Sequence, residues 1–217
     1  MLARLWLALV LLPWLAAMAE SGAWPREKGQ VFAVLSYQID ERDENGVQKQ
    51  DYGFYGEYGA TERLTLGLDA NGNALQRSKT LAFARLALDR GDRPLKLALE
   101  LGAGTVEEET ALRPGVSIGR GFALGARHGW LNGDLRAILT GDADFESDLT
   151  AGLAITPRTL VFVQLQAGLA DGGQDYLRLA PALVHEIRPG AQIKLGLIQP
   201  LSGRDLRGLK LGFWRRF

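Results

Sequence analysis

Apolar and polar residues alternate along most of this chain. Leu95, Leu97, Leu99 and Leu101 share one phase, and Lys96, Ala98, Glu100 and Gly102 share the other. Leu64, Leu66 and Leu68 alternate with Thr65, Gly67 and Asp69, and Leu209, Leu211 and Phe213 with Lys210 and Gly212. Residues two apart face away from each other on a helix but lie on one face of a strand. The pattern therefore predicts strands. Twelve segments read this way: 30–39, 51–60, 64–71, 80–89, 95–103, 111–119, 130–140, 147–156, 159–169, 176–186, 192–199 and 208–217. Their connections are expected to alternate. Polar loops occupy 40–50, 72–79, 104–110, 141–146, 170–175 and 200–207, while 61–63, 90–94, 157–158 and 188–190 are tight. The remaining one, 120–129, is longer than the pattern wants and is expected to extend its flanking strands.

The first nineteen residues break the alternation. Met1 to Arg4 is a short positive start, Leu5 to Ala16 an apolar run, and Ala17-Met18-Ala19 a small-x-small site. This is the layout of a secretory signal peptide, with cleavage expected after Ala19. No later apolar run approaches the ~18–20 residues of a membrane-spanning helix. A closed barrel is the other structure that pairs every backbone group inside lipid. The reading is thus all-β: a signal peptide (1–19), a short periplasmic N-terminal segment (20–29), and a transmembrane antiparallel up-and-down β-barrel of about twelve strands (30–217). Short turns alternating with longer outer loops belong to outer-membrane barrels, and an even strand number places both termini in the periplasm. A soluble lipocalin-like barrel or sandwich, with its apolar phase inward, fits less well. The other phase mixes single charges with Gly, Ala and Thr, as a filled lumen does.

Phe217 ends the chain, with Phe213, Leu211 and Leu209 in the same phase. This resembles the terminal strand of outer-membrane barrel proteins, which the barrel-assembly machinery recognises through its last aromatic residue. Arg215 departs from that pattern. Near a membrane rim its charge costs only about 0–1 kcal/mol. Trp214, Phe213 and Phe217 are expected in a periplasmic aromatic girdle, with Phe32, Tyr37, Tyr52, Phe54, Tyr55 and Tyr58 around the first hairpin. Expected partners are outer-membrane lipids, lipopolysaccharide and, through Phe217, the assembly machinery. The barrel is expected to be a monomer.

Composition narrows the chemistry. Twenty-five basic residues balance twenty-five acidic ones, so there is no bulk nucleic-acid footprint. With no Cys and two His, thiolate metal sites and cysteine nucleophiles drop out, and little remains for acid–base catalysis. The chain holds 27 Gly in 217 residues, well above the usual ~7%. Gly115-Val116-Ser117-Ile118-Gly119 matches the G-x-S-x-G nucleophile motif. That motif needs a strand-to-helix elbow, and here its Ser sits within an alternating strand. His185 falls in phase with Leu177, Leu179 and Leu183 and reads as a rim residue. The acidic runs 40–44 and 107–109 read as solvated loops, the alternative being contacts to divalent cations or bridged lipopolysaccharide. No catalytic residue, metal site or cofactor is predicted.

The polar phase supplies the candidate site. Glu57, Asp69, Lys96, Glu100, Arg113, Asp134, Arg136, Asp148, Arg178, Lys194 and Lys210, with Gln164 and Gln166, are predicted to line the lumen. Lys96 and Glu100 stand about 13 Å apart along one strand and must look to neighbouring strands. Arg113 is the expected partner of Glu100, and Asp134, Arg136 and Asp148 form a second cluster. The lumen is expected to be partly closed by these pairs.

Ala23-Trp24-Pro25, Lys28-Gly29, the aromatic strand Tyr52 to Tyr58, and Glu57-Tyr58-Gly59-Ala60-Thr61-Glu62-Arg63-Leu64-Thr65-Leu66 resemble uncharacterised proteobacterial outer-membrane barrels. These are similar to the outer-membrane transporters of the phenol meta-pathway degradation type. The resemblance implies a barrel and a transport role, and supplies no catalytic residues. The expected function is a narrow channel or transporter for small solutes, hydrophobic ones included. The alternatives are a structural or partner-binding barrel and, less well supported, a lipid-modifying outer-membrane enzyme.

Overall fold

The computed structural model describes residues 22–73, 77–89, 93–170, 175–203 and 206–217. The expected signal peptide and its cleavage point lie outside these residues. Twelve strands follow in order: β1 (Val31–Arg42), β2 (Gln48–Gly59), β3 (Leu64–Asn73), β4 (Arg77–Ala87), β5 (Leu95–Val106), β6 (Glu109–Leu124), β7 (Arg127–Leu139), β8 (Ala143–Thr156), β9 (Thr159–Leu169), β10 (Tyr176–Arg188), β11 (Ala191–Ser202) and β12 (Gly208–Arg216). Each pairs antiparallel with its sequence neighbours, and β1 pairs β12 to close the barrel. At the seam Phe217 N donates to Val31 O (3.0 Å) and Val31 N to Phe217 O (3.3 Å). Closure leaves no unpaired edge, as a hydrocarbon surround requires.

The twelve expected segments are the twelve strands, and 120–129 extends β6 and β7 to within a two-residue turn. The expected alternation of loop lengths holds in part: the β9–β10 and β11–β12 connections (170–175 and 203–207) are longer than the two-residue 157–158 and 189–190. We call the end holding residues 22–30 and Phe217 the terminal end and the other the distal end. Two other distal connections expected to be long are short. β5 runs to Val106 and β6 starts at Glu109, so 104–110 is a hairpin turning on Glu107 and Glu108. Both have positive φ, 49° and 72°, the geometry of a type I′ turn. Residues 141–146 likewise lie mostly within β8. Strand pairing continued through polar residues because nothing in those stretches, neither Pro nor an unpaired donor, stops the ladder.

One phase of each strand faces outward and is apolar. Leu35, Leu66, Leu99, Leu101, Leu112, Leu131, Leu149, Leu195 and Leu211 are all exposed. Such a belt is unfavourable in water and stable against lipid chains. The inward phase holds two apolar clusters. Near the terminal end, Phe32, Trp130, Leu160, Phe162, Ala182, Val184 and Trp214 pack together, joined by Trp24, Val34 and Tyr55. Near the distal end, Leu81, Ala111 and Ile138 pack with Val106. Trp214 is 2% exposed, so it belongs to the interior and not to an aromatic girdle. Phe32 and Tyr55 also point inward, whereas Tyr52, Phe54 and Tyr58 are exposed. Strand phase decides this: Trp214 is one residue off the outward series Leu209, Leu211, Phe213.

Several inward rings lie across glycines on the neighbouring strand. Gly67 is the register partner of Phe83, Gly152 of Trp130 and Gly168 of Tyr176. A Cβ at these glycines would fall 2.1 to 2.2 Å from the facing ring. The missing side chain is the space in which the ring lies.

Residues 22–30 do not hang free below the barrel. Arg26 is buried and Ala23 fully so. Ala23 N donates to Asn132 Oδ1 (3.1 Å) and Arg26 N to Thr65 Oγ1 (3.0 Å). The Trp24 ring occupies the space a Cβ on Gly119 would need. The segment therefore crosses the interior at the terminal end, against β2, β3, β6 and β7.

Candidate functional site

The interior between the two clusters is polar, and its β2–β8 wall is an ion-pair network. Glu100 on β5 stands opposite Arg85 on β4 in register. Arg85 reaches Glu100 Oε2 with Nη2 (2.7 Å) and Nε (3.1 Å), and Glu57 Oε1 with Nη1 (2.6 Å). Arg113 Nη2 lies 2.9 Å from Glu100 Oε1, and its Nη1 donates to Asp69 Oδ2 at 2.6 Å. Lys79 Nζ lies 3.0 Å from Asp69, and Arg26 pairs with Glu57. Arg136 closes the row, at 3.1 Å from Asp148, 3.6 Å from Asp134 and 3.8 Å from Glu100. Asp134 also accepts from Ser117 Oγ (2.6 Å) and Asn132 Nδ2 (2.7 Å). Long side chains can lie flat here because glycines face them. Gly102 opposes Arg113, and Gly115 opposes both Glu100 and Arg136.

Most of these carboxylates and guanidiniums are nearly buried, with side-chain exposures of 1 to 3% for Glu57, Arg85, Glu100 and Arg113. Buried charges persist only when paired and hydrogen-bonded. Tyr55 completes the set, donating to Glu57 (2.6 Å) and accepting from Arg85 (3.1 Å).

The opposite wall, β9 to β12, has a different character. Arg178 Nε donates to Gln166 Oε1 at 2.7 Å, and Gln166 Nε2 to Gln164 Oε1 at 2.8 Å. The Lys194 ammonium lies 4.7 Å from the Phe162 ring centre and 5.7 Å from that of Trp214. In register Lys194 faces Gly212, and Lys210 faces Gly196. Strand registry sets the heights: Lys194 is nearest the terminal end, Lys210 next, and Arg178, opposite Pro200, nearest the distal end. Three cations thus rise along one wall.

Between the walls lies a cavity of about 330 Å³. A second, about 270 Å³, shares Ser36, Asn71, Arg178 and Lys210 with it and extends to Asp40, Lys49 and Asp51 near the distal rim. Seven cations and four carboxylates line the first cavity. Counting Glu57 and Glu100 behind that lining still leaves the balance positive.

Of the candidates read from sequence, Asp69, Arg113, Asp134, Arg136, Asp148, Arg178, Lys194 and Lys210 line this cavity. Glu57 and Glu100 lie in the network bordering it. Lys96 lies elsewhere, 2.9 Å from Asp89 in the β4–β5 connection at the terminal end. Four contributors were missed: Arg85, Lys79, Tyr55 and Arg26. On β4 the larger apolar residues Leu81 and Phe83 face inward with Arg85, so its inward phase does not read as a polar one. A signal existed in Arg85 itself, the one charge within 80–88. Ser117 is buried against Asp134, while His185 is on the exposed face and bonded to Thr159 Oγ1 (3.0 Å). The barrel wall separates them, so they form no catalytic pair.

No protein-family model matches the sequence, and no curated protein does. Solved structures resemble it in fold. An outer membrane channel from Pseudomonas putida F1 superposes with a TM-score of 0.57 at 14% identity, over 92% of this chain and 100% of that one. KdgM porin gives 0.65 at 7% identity, over 85% and 99%. NanC porin gives 0.61 at 10% identity, over 85% and 98%. The shared feature is an outer-membrane-type barrel.

Proposed function

We propose that the protein is an outer-membrane channel for small polar solutes, with a preference for anions. Its terminal end faces the periplasm and its distal end the exterior. The observation that carries this reading is the charge balance of the cavity lining, seven cations against four carboxylates, with Lys194, Lys210 and Arg178 at successive heights on one wall. An anion moving down that wall meets a cation at each step, while Asp69, Asp134 and Asp148 across the cavity are paired with guanidiniums. Fields inside a narrow, low-dielectric passage are felt more strongly than at a surface. The lining is polar, which favours polar solutes over the hydrophobic ones of the phenol-degradation resemblance.

The path is narrow. Twelve strands enclose much less than the sixteen to eighteen of general porins, and residues 22–30 with the aromatic cluster occupy the periplasmic end. That same occupancy supports the second reading, a barrel that binds or braces without transport. Reversal potentials in planar bilayers under a potassium chloride gradient separate the two. We expect small, anion-selective conductance that moves toward cation selectivity in Lys194→Gln and Lys210→Gln. Cation selectivity in the parent refutes the proposal, and absence of any conductance supports the non-transporting barrel.

A further inference from the structure

We propose that the terminal end of the barrel carries a binding site for the phosphate of an anionic phospholipid. This inference is independent of transport and rests on the channel reading only for the periplasmic placement of the terminal end. A bowl of about 760 Å³ lies there, bounded by the β6–β7, β8–β9 and β10–β11 turns and by the chain's last residues. Arg127, Arg158 and Arg216 line it, along with His128. Glu186 is the one acidic side chain among the described residues of its lining, and Glu186 Oε1 already accepts from Gly190 N at 3.1 Å.

Charge alone would make this a solvated rim. A buried donor in its lining, with a second just behind it, makes it more. Arg216 Nε and Arg26 Nη2 are both buried without a hydrogen-bond acceptor among the described residues. Arg26 is only 6% exposed. The fold brings the two together: Arg216 is the register partner of Phe32, and Arg26 Cζ lies 4.2 Å from the centre of the Phe32 ring. A buried charged donor left unmet costs more than a neutral one, so a native structure has reason to fill it. A phosphate supplies several strong acceptor oxygens at one point, and guanidinium forks suit it.

The lining also says what the phosphate is attached to. Ile155, Pro157, Pro189 and Phe217 make one side of the bowl apolar. Phe217 is 69% exposed and continues the outward series of β12. That side is therefore continuous with the lipid-facing belt at the level of the inner leaflet. A phospholipid can seat its headgroup phosphate at Arg216 and lay its chains along Phe217 and Ile155 without leaving the membrane. A free phosphate would have no use for the apolar side.

The test uses the chain from residue 20 onward, refolded in neutral detergent, stripped of lipid and checked for a heat-dependent gel shift. Native mass spectrometry then follows binding of phosphatidylglycerol, phosphatidylcholine and inorganic phosphate. We expect one phosphatidylglycerol per barrel, held in clear preference to phosphatidylcholine, whose choline would face three arginines. Arg216→Gln should weaken it about tenfold, the loss of roughly one charge-assisted hydrogen bond. Arg216→Lys should weaken it less, and Arg63→Gln, at the β2–β3 turn outside the bowl, should change nothing. Should Arg216→Gln not refold, Arg158→Gln in an exposed turn serves in its place, with a several-fold loss expected. Equal binding by parent and bowl variants overturns the site. Displacement of phosphatidylglycerol by equimolar inorganic phosphate overturns the lipid assignment.

Discussion

Removing the Glu100 carboxylate should destabilise the barrel more than any other single change in the lumen. Three guanidiniums converge on it: Arg85 at 2.7 Å, Arg113 at 2.9 Å and Arg136 at 3.8 Å. At an effective dielectric of about 20, a unit pair 4 Å apart is worth about 4 kcal/mol, partly offset by desolvation. Arg85 and Arg113 keep other partners, Glu57 and Asp69, so the loss is less than three such pairs. Breaking a buried pair from one side costs about 3–5 kcal/mol, and we expect Glu100→Gln to fall there. The amide keeps the shape, so the loss is electrostatic. Glu100→Ala adds a void beside three cations and should widen the passage. Guanidinium unfolding of barrels in lipid vesicles, followed by tryptophan fluorescence, gives the stability, and planar bilayers give conductance. A loss under about 1 kcal/mol in Glu100→Gln would show that water screens the network. Unchanged conductance in Glu100→Ala would show that the network does not restrict the lumen.

Deleting residues 22–29 should leave a heat-modifiable barrel but raise single-channel conductance several-fold, because Trp24 and Arg26 vacate the terminal end; equal conductance would mean the segment lies off the path. Replacing Glu107-Glu108 by Asn-Gly should stabilise the barrel by about 1 kcal/mol in the same unfolding assay, since both positions hold positive φ and the I′ turn prefers that pair. Gly67→Ala should cost about 1–3 kcal/mol by overpacking, because its Cβ would fall 2.1 Å from Phe83. Phe83→Leu should recover part of that loss in the double variant.

All twelve strands were legible because a period of two needs only the order of the residues. The pairing of Glu100 with Arg113 was legible too, since adjacent antiparallel strands fix which side chains meet. Arg85 was not, because reading the lumen from the polar phase fails where a strand turns Leu81 and Phe83 inward beside its charge. Trp214 failed for the opposite reason: an aromatic near a chain end suggested an interface, while its phase placed it inside. The distal hairpins were overestimated because polarity was taken to mark loops. In a barrel taller than its apolar belt, the ladder continues through polar residues. Burial of the N-terminal segment depends on contacts such as Ala23 with Asn132, |i−j| = 109, which no local pattern encodes.

The rings that lie over glycines across the ladder have a consequence for how this bore can change over time. At Gly67–Phe83, Gly152–Trp130 and Gly168–Tyr176, neither position can vary alone. A side chain in place of the glycine tips the ring into the passage, and a smaller residue in place of the ring uncovers bare backbone. Calibre is therefore inherited in paired steps. Descendants of this chain should widen or narrow their passage by exchanging both members of a rung, leaving the strand count untouched.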